Sequence, residues 1–165
     1  MKISEQGINL LIQREGVRFG AYRDSKGLLT IGVGHLLTRT ELSSGAIKID
    51  GMHIHWGHGL SSDLCSRLFR KDLTRFEKAI NKLVTAPMEQ HQYDALVSFC
   101  FNIGCGGFGR STLLKKLNKE DYSGAENEFP RWRKPRSIIS RRAGEHAQFQ
   151  GSEFIARRNG GFSNV

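Results

Sequence analysis

No stretch of this chain approaches the roughly 20 consecutive apolar residues of a membrane-spanning helix. Ser4-Glu5-Gln6 interrupts any apolar core of an export signal directly behind Met1-Lys2-Ile3, so neither an anchor nor a leader is expected. Cysteine is scarce, with three residues at 65, 100 and 105 in no CxxC spacing; an odd count leaves at least one thiol unpaired in a monomer and favours reduced thiols. Acids are few, 16 against 25 Lys and Arg, and the resulting net charge of +9 with a pI near 9.8 calls for an anionic partner. From Arg131 to Val165 eight basic residues face only Glu145 and Glu153, so the excess is greatest at the C-terminus. There is no internal repeat, no low-complexity tract, and no helix-turn-helix, RNP motif or zinc finger, so a specific nucleic-acid partner is not expected. The 165 residues bury one adequate core and are few for two independent domains; two lobes of one domain fit better.

What is present concentrates between Arg14 and His35, in REGVRFGAYRDSKGLLTIGVGH. Ile3, Ile8, Leu11 and Ile12 recur at helical spacing, and Gly16 is a stop signal, so Glu15 ends a first helix at about residues 3–14. A carboxyl held there against the protein body is expected to be partly desolvated and able to stay protonated. Arg23-Asp24-Ser25-Lys26-Gly27 reads as a hairpin turn between Tyr22 and the strand Leu28-Leu29-Thr30-Ile31, which leaves Asp24 more exposed and ionised. Thr30 follows in that strand, where a hydroxyl can donate to Asp24 and accept from a water. One carboxyl for the leaving oxygen, one for water and a hydroxyl to hold that water are what cleaving a glycosidic bond requires. Taken singly, each of these residues is an ordinary helix-end acid, turn Asp or strand Thr; together in one glycine-punctuated block they point to a hydrolytic site.

These residues resemble those of the phage-type lysozymes, or bacteriophage endolysins. That family opens with a helix ending in Glu-Gly and a Tyr-x-Asp-x-x-Gly-x-x-Thr-x-Gly-x-Gly-His block, supplied here by Glu15-Gly16 and Tyr22 to His35. Gln92 to Phe99, Phe101-Asn102-Ile103-Gly104, Phe108 and Ser111 to Leu114 continue the likeness, and Asn127 to Trp132 extends it more weakly. The resemblance implies Glu15 as general acid, Asp24 as general base or electrostatic partner, and Thr30 as a holder of the attacking water, with inversion at the sugar. It also implies a saccharide cleft lined by Leu36, Phe101, Ser111 and Asn127, with His35 orienting the site and an arginine near the catalytic Glu, for which Arg133 and Arg136 are candidates. The implied activity is that of a muramidase cutting the β-1,4 bond between N-acetylmuramic acid and N-acetylglucosamine of peptidoglycan to lyse the host, without cofactor or metal. A monomer is expected, resident in the host cytoplasm until a separate holin opens the membrane to the periplasmic wall. The other readings are a basic module that binds cell wall or nucleic acid without catalysis, against which the intact Glu15, Asp24 and Thr30 argue, and a lytic transglycosylase, which uses one acid and no water and against which the Asp24 and Thr30 pair argues.

Along the rest of the chain, Val17 to Gly59 reads as short strands and turns, with a hairpin at Asp50-Gly51. Ser61 or Ser62 caps a long interlobe helix through Leu64, Leu68, Phe69, Leu73, Phe76, Ile80 and Leu83. Pro87 starts the next helix, and further helices are expected at 112–118, 121–129 and 136–149, with fraying at Gly160-Gly161. The whole, 1–165, is one α+β, lysozyme-like domain: mostly helical, with a small antiparallel β-lobe at about 1–60, an interlobe helix at 61–84, a helical lobe at 85–165, and the active-site cleft between lobes. His53, His55 and His58 near Trp56 raise a metal site, but no Cys or carboxylate besides Asp50 completes a ligand set, and surface histidines are the better reading. The helix carrying Arg141-Arg142 among Ile138, Ile139, Ala143, Ala147 and Phe149 is basic and amphipathic. It is expected to dock by its apolar stripe and to offer a basic face to an anionic outer membrane. Tyr93, Phe99, Phe101, Phe108 and Trp132 are expected in the core rather than as a base-stacking platform.

Overall fold

Two hairpins and a short third strand build the first of two compact units in the computed structural model, which describes residues 1–152; this unit is Asn9–Thr74. β1 (Arg18–Arg23) and β2 (Leu29–Gly32) pair antiparallel across the Asp24 to Leu28 turn, and β3 (His35–Leu36) lines the other edge of β2. β1 bulges between Arg18 and Tyr22, and the Leu60 N–H holds the bulge open by donating to Phe19 O at 2.7 Å. β4 (Ala46–Ile49) and β5 (Met52–His55) form the second hairpin at Asp50-Gly51, both at positive φ (48° and 82°), the two-residue turn that matches strand twist. Between β3 and β4 lies α2 (Arg39–Ser44), which the periodicity does not announce; its signature is the capping box Thr38-x-x-Glu41, closed in both directions. Ile31, Leu37, Ile47, Ile49, Leu60, Cys65 and Leu68 form the buried core of this unit, with Trp56 packed partly against it.

Met1–Ile8 and the chain from Arg75 form the second unit. α1 (Glu5–Glu15) and α3 (Ser62–Leu83) each have residues in both units; Ser61 caps α3, its Oγ accepting from Leu64 N at 3.2 Å. α4 (Gln90–Ile103) does not start at Pro87 as expected: a capping box between Glu89 and Gln92 sets its first turn three residues later. Every residue from Tyr93 to Cys100 is buried, so α4 is the axis of this unit, with α8 (Ile139–Gln150) packed against it. α5 (Cys105–Gly109), α6 (Thr112–Leu117) and α7 (Tyr122–Glu126) fill the interval. The helix expected at 121–129 is shorter, and a separate 3-10 turn follows at Phe129–Arg131 with Pro130 inside it; a second 3-10 turn at Arg136–Ile138 precedes α8. Phe99 stands edge-on to Phe108, Phe129 and Trp132 at 5.1–6.5 Å between ring centres, a packed aromatic core. The expectations for Gly160-Gly161, Arg157, Arg158 and Glu153 fall outside the described residues.

Candidate active site

Glu15 is the last residue of α1 and is half-buried. Gly16 stops the helix by taking the left-handed conformation (φ 74°), which only glycine adopts at little cost, while its N–H donates to Ile12 O at 2.7 Å. Asp24 sits at the first position of the β1–β2 turn. Its Oδ1 accepts the backbone N–H of Lys26 and of Leu28, both at 2.9 Å, and Arg23 Nη1 ties the turn by donating to Gly27 O at 2.8 Å. Asp24 is therefore held by its own loop, with one carboxylate oxygen committed to backbone. It is half-buried, as Glu15 is.

Thr30 pairs across the sheet with Tyr22 on one side and Leu36 on the other and is 4% exposed. Its hydroxyl donates to Leu28 O at 3.1 Å, not to Asp24 as expected, because a short hydroxyl side chain readily bonds a backbone carbonyl close by in sequence. Thr30 and Asp24 are thus linked through Leu28, whose C=O takes the hydroxyl and whose N–H serves the carboxylate. Of the residues expected to line the saccharide cleft, Leu36 is 49% exposed on β3 and Asn127 is exposed at the end of α7. Phe101 is half-buried on α4 with its ring 5.1 Å from that of Phe76, edge-on. Ser111 is buried, its hydroxyl donating to Phe108 O and capping α6 through Leu114 N, so it meets backbone from both sides.

His35 makes a bridge that the sequence only hinted at. Its Nδ1 lies 2.7 Å from Asp72 Oδ2 and its Nε2 2.9 Å from Glu41 Oε2. Burial, the largest single effect, pulls the imidazole pKa down, but the hydrogen bonds and charges of Asp72 and Glu41 outweigh it, so the value is raised above the ordinary 6.5. For Glu41, burial pushes the carboxyl up, and the Thr38 N–H together with His35 outweighs that, so its pKa is lowered. The imidazole thereby joins β3, α2 and α3 beside the strand that carries Thr30.

The second unit holds its own buried polar group. Glu145, fully buried, takes Arg141 Nε at 2.9 Å and the Ser98 hydroxyl at 2.7 Å on Oε1, and Arg142 Nη1 at 2.5 Å on Oε2. Arg142 is 1% exposed and also donates to Trp132 O at 3.0 Å and to Asn102 Oδ1. This corrects the expected basic face of α8: Arg141 and Arg142 point inward, and among the described residues from 131 on the exposed cations are Arg131, Arg133, Lys134 and Arg136. The Arg-Arg-x-x-Glu spacing, i to i+3 and i+4 on one helix, was the available signal. Among the described residues no group of three or more His, Cys, Asp or Glu side chains is placed to hold a metal ion, and no helix is long and apolar enough to cross a membrane.

A family model described as phage lysozyme matches residues 12–145. The endolysin of Salmonella phage P22 is 41% identical over 153 residues, which cover 90% of this chain and 98% of that one. A crystal structure of a P22 lysozyme variant superposes with a TM-score of 0.78 at 39% identity, over 91% of this chain and 99% of that one. The muramidase domain of SpmX from Asticaccaulis excentricus follows with a TM-score of 0.71 at 31% identity, over 90% and 97% of the two chains.

Proposed function

Because this chain belongs to the phage lysozyme family, we propose that Glu15, Asp24 and Thr30 form its hydrolytic centre. The fold is α+β and lysozyme-like, and the protein is an endolysin: a glycoside hydrolase that cleaves the β-1,4 bond between N-acetylmuramic acid and N-acetylglucosamine of bacterial peptidoglycan in host cell lysis. In the proposed reaction Glu15 gives its proton to the leaving oxygen. Asp24, with Oδ1 held by the Lys26 and Leu28 amides, takes a proton from water through Oδ2. The Thr30 hydroxyl, whose hydrogen is spent on Leu28 O, accepts from that water and aims it at the anomeric carbon. Water adds at the face opposite the leaving group, the configuration inverts, and the two carboxyls stand about 6.5–9.5 Å apart to admit it.

The observation that carries this reading is the closed Asp24 turn, which fixes one carboxylate by two backbone donors and ties it through Leu28 to the Thr30 hydroxyl. Leu36, Phe101 and Asn127 are proposed to touch the glycan, and Ser111 to shape its site from within the α6 cap. One domain over 1–165 is proposed to act as a monomer, held inside the host until a holin opens the membrane. Contact with an anionic outer membrane is assigned to the exposed Arg131, Arg133, Lys134 and Arg136.

The test is turbidity clearing of outer-membrane-stripped Gram-negative cells by wild type, Glu15→Gln and Asp24→Asn, with released fragments weighed by mass spectrometry. Clearing should fall about a hundredfold or more in each variant, with wild-type fragments ending in reducing muramic acid. Anhydro ends would identify a transglycosylase instead, and variants that clear like wild type would remove Glu15 and Asp24 from the mechanism.

A further inference from the structure

His55, Trp56 and His58 play no part in the hydrolytic reading, yet with Gly45 and Gly57 they line an open hollow of about 320 Å³. Building on the assignment of this chain as a glycan hydrolase, we propose that this hollow is a second saccharide site. It takes one N-acetylhexosamine unit of a glycan strand and is separate from Glu15, Asp24 and Thr30, none of which lines it.

The volume lies at the lower end of small-molecule sites, about 300–1,000 Å³, so it suits a single pyranose. Trp56 is anchored on three sides: its indole N–H donates to Glu41 O at 2.9 Å, its backbone N–H to Gly45 O at 3.2 Å, and its carbonyl accepts from Gly59 N at 3.0 Å. Trp56 is partly buried against the core of the unit and is also one of the residues that line the hollow. A tryptophan fixed in this way presents an apolar surface to the C–H face of a sugar with little ordering left to lose on binding.

Polar groups sit at the margin. His55 ends the outer face of the β4–β5 hairpin, where it pairs with Ala46, and His58 follows in the next turn; both are exposed, and an imidazole can donate to or accept from hydroxyls and an acetamide. Gly45 and Gly57 contribute no side chain, and a Cβ built on either meets nothing within 4 Å, so the walls stay open. No Lys, Arg, Asp or Glu lines the hollow, which favours a neutral sugar over a phosphate or an ammonium group. The hollow belongs to the same compact unit as the hydrolytic residues, and Trp56 reaches them structurally through Glu41 and His35, the neighbour of Leu36 on β3. A second grip on an insoluble polymer raises the local concentration of the first, so the site's role is retention on the wall.

The ¹⁵N-labelled full chain is titrated with the trisaccharide of N-acetylglucosamine. The Trp56 indole and the amides of His55, Gly57 and His58 should shift saturably. Gly57→Leu, on a backbone that is not left-handed, should weaken that titration about fivefold or more. Shifts near Gly16 and Asp24 with none around Trp56, or no shift anywhere, overturn the second site and leave the hydrolase reading, which the clearing assay tests, intact. Sedimentation with insoluble peptidoglycan, in a Glu15→Gln background that spares the wall, should show His55→Ala/His58→Ala binding about five- to tenfold more weakly. Unchanged affinity there also overturns the site.

Discussion

Replacing His35 with Asn tests the carboxylate bridge, and the expected loss depends on pH in a definite sense. Both ring nitrogens face carboxylate oxygens, at 2.7 and 2.9 Å, and a neutral imidazole has only one N–H to offer, so the bridge is complete only when the ring is protonated. The side chains of His35, Glu41 and Asp72 are 10%, 13% and 26% exposed. That is drier than a surface pair, worth about 0–1 kcal/mol, and wetter than a fully buried pair, whose rupture costs about 3–5 kcal/mol; about 2–3 kcal/mol is the reasoned cost. At this chain length each kcal/mol moves Tm by about 2–4 °C, so the variant should melt about 5–10 °C lower. The imidazole pKa is raised in the folded protein, so its contribution is full below the ordinary value of 6.5 and is lost as pH rises through the raised value. The Glu41 pKa is lowered, so its contribution is full above the ordinary 4.5 and is lost as pH falls through the lowered value. The gap between wild type and variant should therefore be widest between about pH 4.5 and 6.5 and narrow on the alkaline side. Thermal unfolding followed by circular dichroism from pH 4 to 9 measures it. A gap that is constant across this range, or absent at pH 5.5, would refute the bridge as a source of stability.

Arg142→Met should cost about 3–5 kcal/mol in urea unfolding because it strips one of two guanidinium partners from the fully buried Glu145. Arg142→Met/Glu145→Leu should recover part of that loss, and a double variant as poor as the sum of both singles would contradict the pairing. Gly7→Ala would ordinarily favour a helix, but its Cβ would stand 2.5 Å from Asp94 Cγ, and that carboxylate is held by Ser4 and Gln90. The change should destabilise by about 1–3 kcal/mol, and an unchanged or raised Tm would show that the contact can relax. Cys65 and Cys100 are buried, which pushes both thiols up, while Cys105 is only half-buried. A disulfide-exchange reagent at pH 8 should therefore titrate one thiol in the native protein and three in denaturant; two fast native thiols would contradict that burial.

The parts legible in the sequence are those in which partners lie a few residues apart. Gly16 closing α1 behind Glu15, the Asp24 turn, the Asp50-Gly51 hairpin and the Ser61 cap each follow from local sterics and hydrogen bonding, which a short window contains. The Thr38-x-x-Glu41 box is equally local, but α2 has only six residues and buries none of them, so no apolar period marks it. Tertiary contacts decided the rest. α5 is a helix of Cys-Gly-Gly-Phe-Gly, a composition that disfavours helix, in a unit whose core encloses Phe108. Arg141 and Arg142 had the look of a solvated basic face, because a pair of charges on a helix carries no sign of which side is dry. Glu145 on their own helix, Ser98 and Asn102 on α4 and the Trp132 carbonyl turn them inward. His35 finds Asp72 across 37 residues of chain. Backbone geometry and capping are set by neighbours in the chain, so the sequence by itself determined the block from Glu15 to Thr30 and its turns. Burial and the pairing of charges depend on what the folded chain brings alongside, so only the tertiary structure decided which polar groups are spent on stability and which remain for the substrate.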